Sequence, residues 1–120
     1  MGTNEDDRTP GGDDGADAAA KASQQSSEKQ SRYMARTGNF SHIGRGGSTF
    51  AGRARAAGYA TPASENIAWG YGSATEVMTA WMASPAHRRN ILNCDAQSIG
   101  TGVSYASDGT PYFTQVFGWR

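Results

Sequence analysis

The sequence predicts an α/β protein, a three-layer α/β/α sandwich on a central antiparallel sheet. Three observations predict it. Ile99–Tyr105 and Tyr112–Phe117 alternate as strands do, and Asp108-Gly109 between them is a hairpin turn signal. The second strand is apolar on both faces, with Phe113 and Phe117 on one and Tyr112 and Val116 on the other, so it needs cover on both sides. Ala74, Val77, Met78, Trp81 and Met82 recur at helical spacing and supply one covering face. At 120 residues the chain can enclose one core, which makes it a single domain.

From Met1 to Gly15 the chain is acidic, glycine-rich and without large apolar side chains after Met1, so residues 1–15 are expected to be a disordered leader or tail. The domain is then 16–120. Ala16–Thr37 is composed of helix formers and Gly38-Asn39 is a natural stop, although Ser23–Arg32 carries no apolar residue to anchor it. Thr49–Ala57 reads as a short helix with Ser48 as cap and Gly58 as stop. Ser64–Trp69 reads as an extended segment, and its alternation places Glu65 on the same side as Ile67 and Trp69. Ser73 and Glu76 form a capping box ahead of the Trp81 helix, and Ser84-Pro85 starts the next helix with serine as cap and proline in the first turn.

Lysine plus arginine and aspartate plus glutamate each total 11, so no net field draws the chain to nucleic acid. No run approaches the roughly 20 apolar residues of a membrane span, and the opening residues lack the layout of a signal peptide. Cys94 is the single cysteine, which excludes an internal disulfide and a cysteine-based metal knuckle; a small buried hydrophobe is its expected role.

Three residues have the chemistry of a site. His42 lies just past a helix stop, where a loop can present a ring to a cleft. His87 lies in the first turn after Pro85, where the exposed N–H dipoles disfavour the imidazolium. Glu65 enters an apolar strand, and a half-buried carboxylate there needs a partner. Each also has a plain structural reading: a packed or solvated ring for the histidines, and for Glu65 a carboxylate fixing a loop.

Phe-Ser-His at Phe40–His42, Glu-Asn-Ile-Ala at Glu65–Ala68, Trp-Met-x-Ser-Pro-x-His-Arg-x-Asn-Ile-Leu at Trp81–Leu92 and Phe-Thr-Gln-Val-Phe-Gly at Phe113–Gly118 together resemble the bacterial branch of the CAP superfamily. This superfamily groups cysteine-rich secretory proteins, antigen five and pathogenesis-related proteins. The resemblance covers about Tyr33 to Gly118. It implies the α/β/α sandwich, a cleft in which His42, Glu65 and His87 meet, and an extracellular or cell-surface location. Relatives often carry a second acid where this chain has Ser84, so one carboxylate is expected in the cleft. The usual opening helix with its apolar stripe is missing, which implies an atypical or truncated N-terminal segment and leaves Cys94 without a mate.

Three functions follow from the resemblance. The first is a secreted, non-enzymatic binding module whose cleft holds a divalent ion, Zn²⁺ by preference, on His42 and His87, with Glu65 and Ser84 supporting the ligands. The second is a hydrolase in which Glu65 activates a water near His42 and His87 as the catalytic residues. The third is lipid or sterol binding. The first is preferred, because no activated nucleophile and no third good metal ligand is apparent. The expected partners are a ligand in the cleft, lipid or cell-surface component, with no nucleic acid, no membrane span and a monomeric chain.

Overall fold

The computed structural model describes residues 10–119, with side chains from residue 20 onward. The elements run α1 (Pro10–Thr37), a 3-10 turn (Arg45–Gly47), α2 (Phe50–Ala56), β1 (Pro62–Trp69), α3 (Ala74–Ala83), α4 (Pro85–Ile91), β2 (Ser98–Tyr105) and β3 (Pro111–Gly118). Of the tail expected over residues 1–15, the first nine lie outside the described residues. The helix begins at Pro10 and not at Ala16, since proline's fixed φ suits a first helical position. It ends where expected: Gly38 takes φ +76° and returns its N–H to the Met34 carbonyl at 2.8 Å.

The three strands form one antiparallel sheet in the order β1-β3-β2. β3 is central and pairs Glu65 with Val116 on one side and Gly100 with Val116 on the other. Period-two alternation then sends Tyr112, Thr114 and Val116 to one face and Phe113, Gln115 and Phe117 to the other.

α1 covers the first face, and the contact is made without a conventional apolar stripe. Ser23, Ser26, Ser27, Gln30, Ser31 and Met34 are buried. Small side chains let the helix backbone approach the sheet at Gly100 and Gly102, where an added Cβ would strike the Ser23–Gln24 backbone and the Glu28 backbone respectively. Two of the hydroxyls find partners on the strands: Ser27 Oγ donates to the Gly100 carbonyl at 2.9 Å, and Ser31 Oγ lies 2.7 Å from Thr114 Oγ1, whereas Ser23 Oγ and Ser26 Oγ are buried without a hydrogen-bond partner. Met34 then packs with Ile67 and Tyr112 to form the apolar end of this layer.

On the second face Val77 and Trp81 of α3 pack with Ala68, Phe113 and Ile91. Trp81 Nε1 donates to the Ile67 carbonyl at 3.1 Å, which satisfies the one polar atom of a buried indole. Of the stripe read from the sequence, Ala74 and Met78 are exposed and Met82 is only partly buried. This layer lies over β1 and β3 and leaves Ile99, Val103 and Tyr105 of β2 exposed.

Two caps differ from expectation. Thr49, and not Ser48, caps α2 by accepting from the Gly52 N–H at 3.0 Å. Ser84 occupies the N-cap position of α4 without a side-chain capping bond, because its hydroxyl is engaged with a histidine ring described below. Ser73 accepts from the Glu76 N–H at 3.2 Å, while Glu76 reaches back to Gly72 N–H at 2.8 Å, one residue ahead of the cap. Cys94 is exposed where a buried position was expected, because the chain has already left α4 for a surface turn.

Candidate functional site

The site forms along β1, the edge strand beside β3. Ile67, Ala68 and Trp69 line a cleft of about 510 Å³ between the loop after α1 and the α3–α4 corner. His42 enters it from the first wall, and Ser84 and His87 enter it from the second.

The first wall is held by α1. Gln30, fully buried, donates through Nε2 to the Ser41 carbonyl at 2.7 Å, and Ser41 Oγ accepts from the Ile43 N–H at 2.9 Å. These two bonds bracket His42. Its Nδ1 lies 2.8 Å from Glu65 Oε1, and its side chain is 52% exposed whereas that of Glu65 is 0% exposed. The second carboxylate oxygen, Oε2, accepts from Arg53 Nη2 at 2.8 Å. Arg53 is itself buried and donates through Nη1 to the Ser48 carbonyl at 2.9 Å. Glu65 is therefore enclosed with a cationic partner, the condition under which a charged carboxylate is tolerated out of water. A carboxylate beside Nδ1 favours the tautomer with the proton on Nδ1, and the Nε2 lone pair is then available.

The second wall is fixed through Asn66, which is fully buried on the opposite face of β1 from Glu65. Asn66 Nδ2 donates to the His87 carbonyl and to Gln115 Oε1, each at 3.2 Å, and Asn66 Oδ1 accepts from Asn90 Nδ2 at 2.8 Å. One side chain thus ties both turns of α4 to the sheet and sets the height of His87. The His87 ring places Nδ1 2.8 Å from Ser84 Oγ. Its pKa is lowered from the ordinary histidine value, first by desolvation and second by the nearby charge of His42. Both causes disfavour the imidazolium form of His87.

The rest of the cleft is apolar and aromatic, with Phe40, Trp69, Tyr71 and Trp81 in its lining. Trp69 stacks on Tyr112 at a centroid distance of 6.5 Å. Imidazoles whose Nδ1 is engaged, as in both rings here, are of the donor type a divalent transition ion accepts. Among the described residues no group of three or more His, Cys, Asp or Glu is disposed to hold a metal.

The three residues singled out in the sequence thus adjoin one cleft: both histidines line it, and Glu65 stands behind His42. Arg53 and Asn66 were not singled out. Arg53 carries no sequence signal, since it and Arg55, the two arginines of Phe50–Ala56, both read as solvated residues of a short helix. Asn66 lay inside the Glu-Asn-Ile-Ala motif, and its strand parity opposite to Glu65 was the available sign that it serves the other wall.

The profile of the cysteine-rich secretory protein family, CAP, matches residues 17–117. A protein of Bacillus subtilis strain 168, the uncharacterized YkwD, is 45% identical over 56 residues, which are 47% of this chain and 21% of that protein. The crystal structure of an extracellular protein containing an SCP domain from Bacillus anthracis superposes with a TM-score of 0.69 at 24% identity, covering 86% of this chain and 32% of that one. An outer surface protein of Borrelia burgdorferi superposes with a TM-score of 0.61 at 19% identity, covering 100% of this chain and 99% of that one. The chain thus spans about a fifth of the B. subtilis protein and a third of the B. anthracis one, and the two structures share its fold.

Proposed function

Since the chain belongs to the cysteine-rich secretory protein family, we propose that it is an extracellular, non-catalytic binding domain whose cleft takes a ligand beside a divalent ion held by His42 and His87. The observation that carries this reading is the state of Glu65. Both its oxygens are engaged, one with His42 and one with Arg53, and its side chain is fully enclosed. A carboxylate so placed orients an imidazole and does not serve as the base for a water in the cleft. Ser41 and Ser84, the two serine hydroxyls of the lining, are likewise engaged, with the Ile43 N–H and the His87 ring.

Two imidazoles leave at least two positions of a tetrahedral ion open to water or to a donor atom of the ligand. When bound, the ion would act as a Lewis acid toward that donor. The residues' own contribution is orientation: Glu65 and Arg53 fix His42, and Asn66 and Ser84 fix His87. The aromatic lining suits an apolar body on the ligand. The extracellular placement rests on the similarity to an extracellular and an outer-surface protein. No helix among the described residues is long and apolar enough to cross a membrane.

Calorimetric titration with Zn²⁺ tests the reading. The wild type should bind near neutral pH and release the ion on acidification, as imidazoles bind only when neutral. His42→Ala and His87→Ala should each nearly abolish binding, and Glu65→Gln should weaken it less. Equal affinity in the wild type and the double-histidine variant would overturn the shared site. Cleavage of a peptide or ester by the wild type but not by the Glu65→Gln protein would establish the hydrolase reading in its place.

A further inference from the structure

The chain is neutral overall, with 11 basic and 11 acidic residues, yet its charges are not evenly spread. A second cavity of about 290 Å³ lies between α1 and the 3-10 turn, and Lys29, Arg32, Arg36, Arg45 and Arg53 all line it, with Glu28 as the single acid. Five of the 11 basic side chains therefore surround one hollow. Arg53 is compensated by Glu65. Among the described residues the ion pairs are His42–Glu65 and Arg53–Glu65, so the other four cations have no carboxylate partner. Glu28 is engaged by the Gln24 amide at 3.1 Å.

Lys29, Arg32 and Arg36 follow one another at spacings of three and four on α1, an arrangement in which like charges repel and the helix is weakened. Arg45 faces them from the turn. Crowding of this kind is relieved by an anion bridging the two elements. Guanidinium groups converging from different directions match a tetrahedral oxyanion, which accepts paired hydrogen bonds from each fork. We propose that this hollow is a binding site for a phosphorylated or sulfated group, gripped by Arg32 and Arg36 from the helix and Arg45 from the turn. It is separate from the histidine cleft and stands independently of that cleft's function. Arg53 lies between the two, bonded to Glu65 and Ser48 and forming part of the hollow's lining.

The test is an NMR titration of ¹⁵N-labelled protein with sodium tripolyphosphate, comparing the wild type with an Arg32→Ala/Arg45→Ala variant and an Arg88→Ala/Arg89→Ala control. All four arginines are exposed, so both variants should fold. Shifts should concentrate on residues 25–36 and 44–48, and the first variant should bind at least about tenfold more weakly, because each charge-assisted contact is worth about that factor. The control should bind as the wild type does. Shifts spread equally over α4, or equal affinity in the Arg32/Arg45 variant, would overturn the site. Co-sedimentation with vesicles of phosphatidylglycerol and phosphatidylcholine separates the sources of the group. Loss of vesicle binding in the Arg32/Arg45 variant would assign a lipid headgroup, and tripolyphosphate binding without vesicle binding would assign a soluble or polymeric phosphate.

Discussion

Gly100→Ala is the sharpest probe of how this domain is held together. The new Cβ would fall on the backbone of α1 at Ser23 and Gln24, which no side-chain rotation can move aside. Either α1 lifts from the sheet or β2 is pushed away from it. Overpacking of a well-fitted contact costs about 1–3 kcal/mol. Displacement would also stretch the bond from Ser27 Oγ to the Gly100 carbonyl at 2.9 Å and the Ser31–Thr114 contact at 2.7 Å, each contributing roughly 1 kcal/mol net. The expected loss is about 3–5 kcal/mol, a large part of the roughly 5–15 kcal/mol that stabilises a domain. Urea denaturation followed by far-UV circular dichroism measures it, with Thr101→Ala, an exposed change next door on the same strand, as control. A Gly100→Ala protein within about 1 kcal/mol of the wild type would refute the close seating of α1 on β2.

Trp81→Ala should cost about 3–5 kcal/mol by opening a cavity and orphaning the Ile67 carbonyl, whereas Ser73→Ala should cost roughly 1 kcal/mol through the lost cap. Thermal melts that ranked the serine change as the larger would remove Trp81 as the core anchor. His87 should titrate below the ordinary histidine range in an NMR pH series, and His42→Ala should move its pKa back upward by removing one of the two causes of the shift. Because the folded state binds the His87 proton less readily than the unfolded state, this contribution to stability is complete above the ordinary value of 6.5 and falls away as the pH drops to the folded-state pKa. A His87 titration unchanged by His42→Ala would place the rings too far apart to share an ion.

Strand alternation and the Asp108-Gly109 turn were enough to read the β2–β3 hairpin, because their signal is local and each strand's period is fixed by its own residues. The parity of Phe113 and Phe117 against Tyr112 and Val116 carried the layered architecture. What could not be read was how α1 is anchored. A segment of serines and glutamines lacks the apolar stripe by which helices are judged, and its partner surface is a pair of glycines more than 70 residues away. Only pairing in space shows that serine and glycine are complementary there, as two flat surfaces that permit backbone contact. The caps failed for a related reason. Ser48 and Thr49 are both good caps, and the choice between them turned on where the preceding 3-10 turn ended.

The site was legible in its chemistry and illegible in its support. His42, Glu65 and His87 are residue types that announce themselves, and the family resemblance supplied their conjunction. Arg53 and Asn66 do not announce themselves, yet each decides what a neighbour can do. Without Arg53, Glu65 would be a buried carboxylate with one aromatic partner, and its second oxygen would be free to act on water. With Arg53 in place both carboxylate oxygens are engaged, and this supports the proposed reading of the cleft as a binding site. Asn66 acts likewise on the other wall, since it ties α4 to the sheet at the His87 carbonyl and at Asn90. The balance of charge misleads for a similar reason. Equal totals of acid and base exclude a field over the whole molecule, but they say nothing about a hollow in which five basic side chains gather around a single acid.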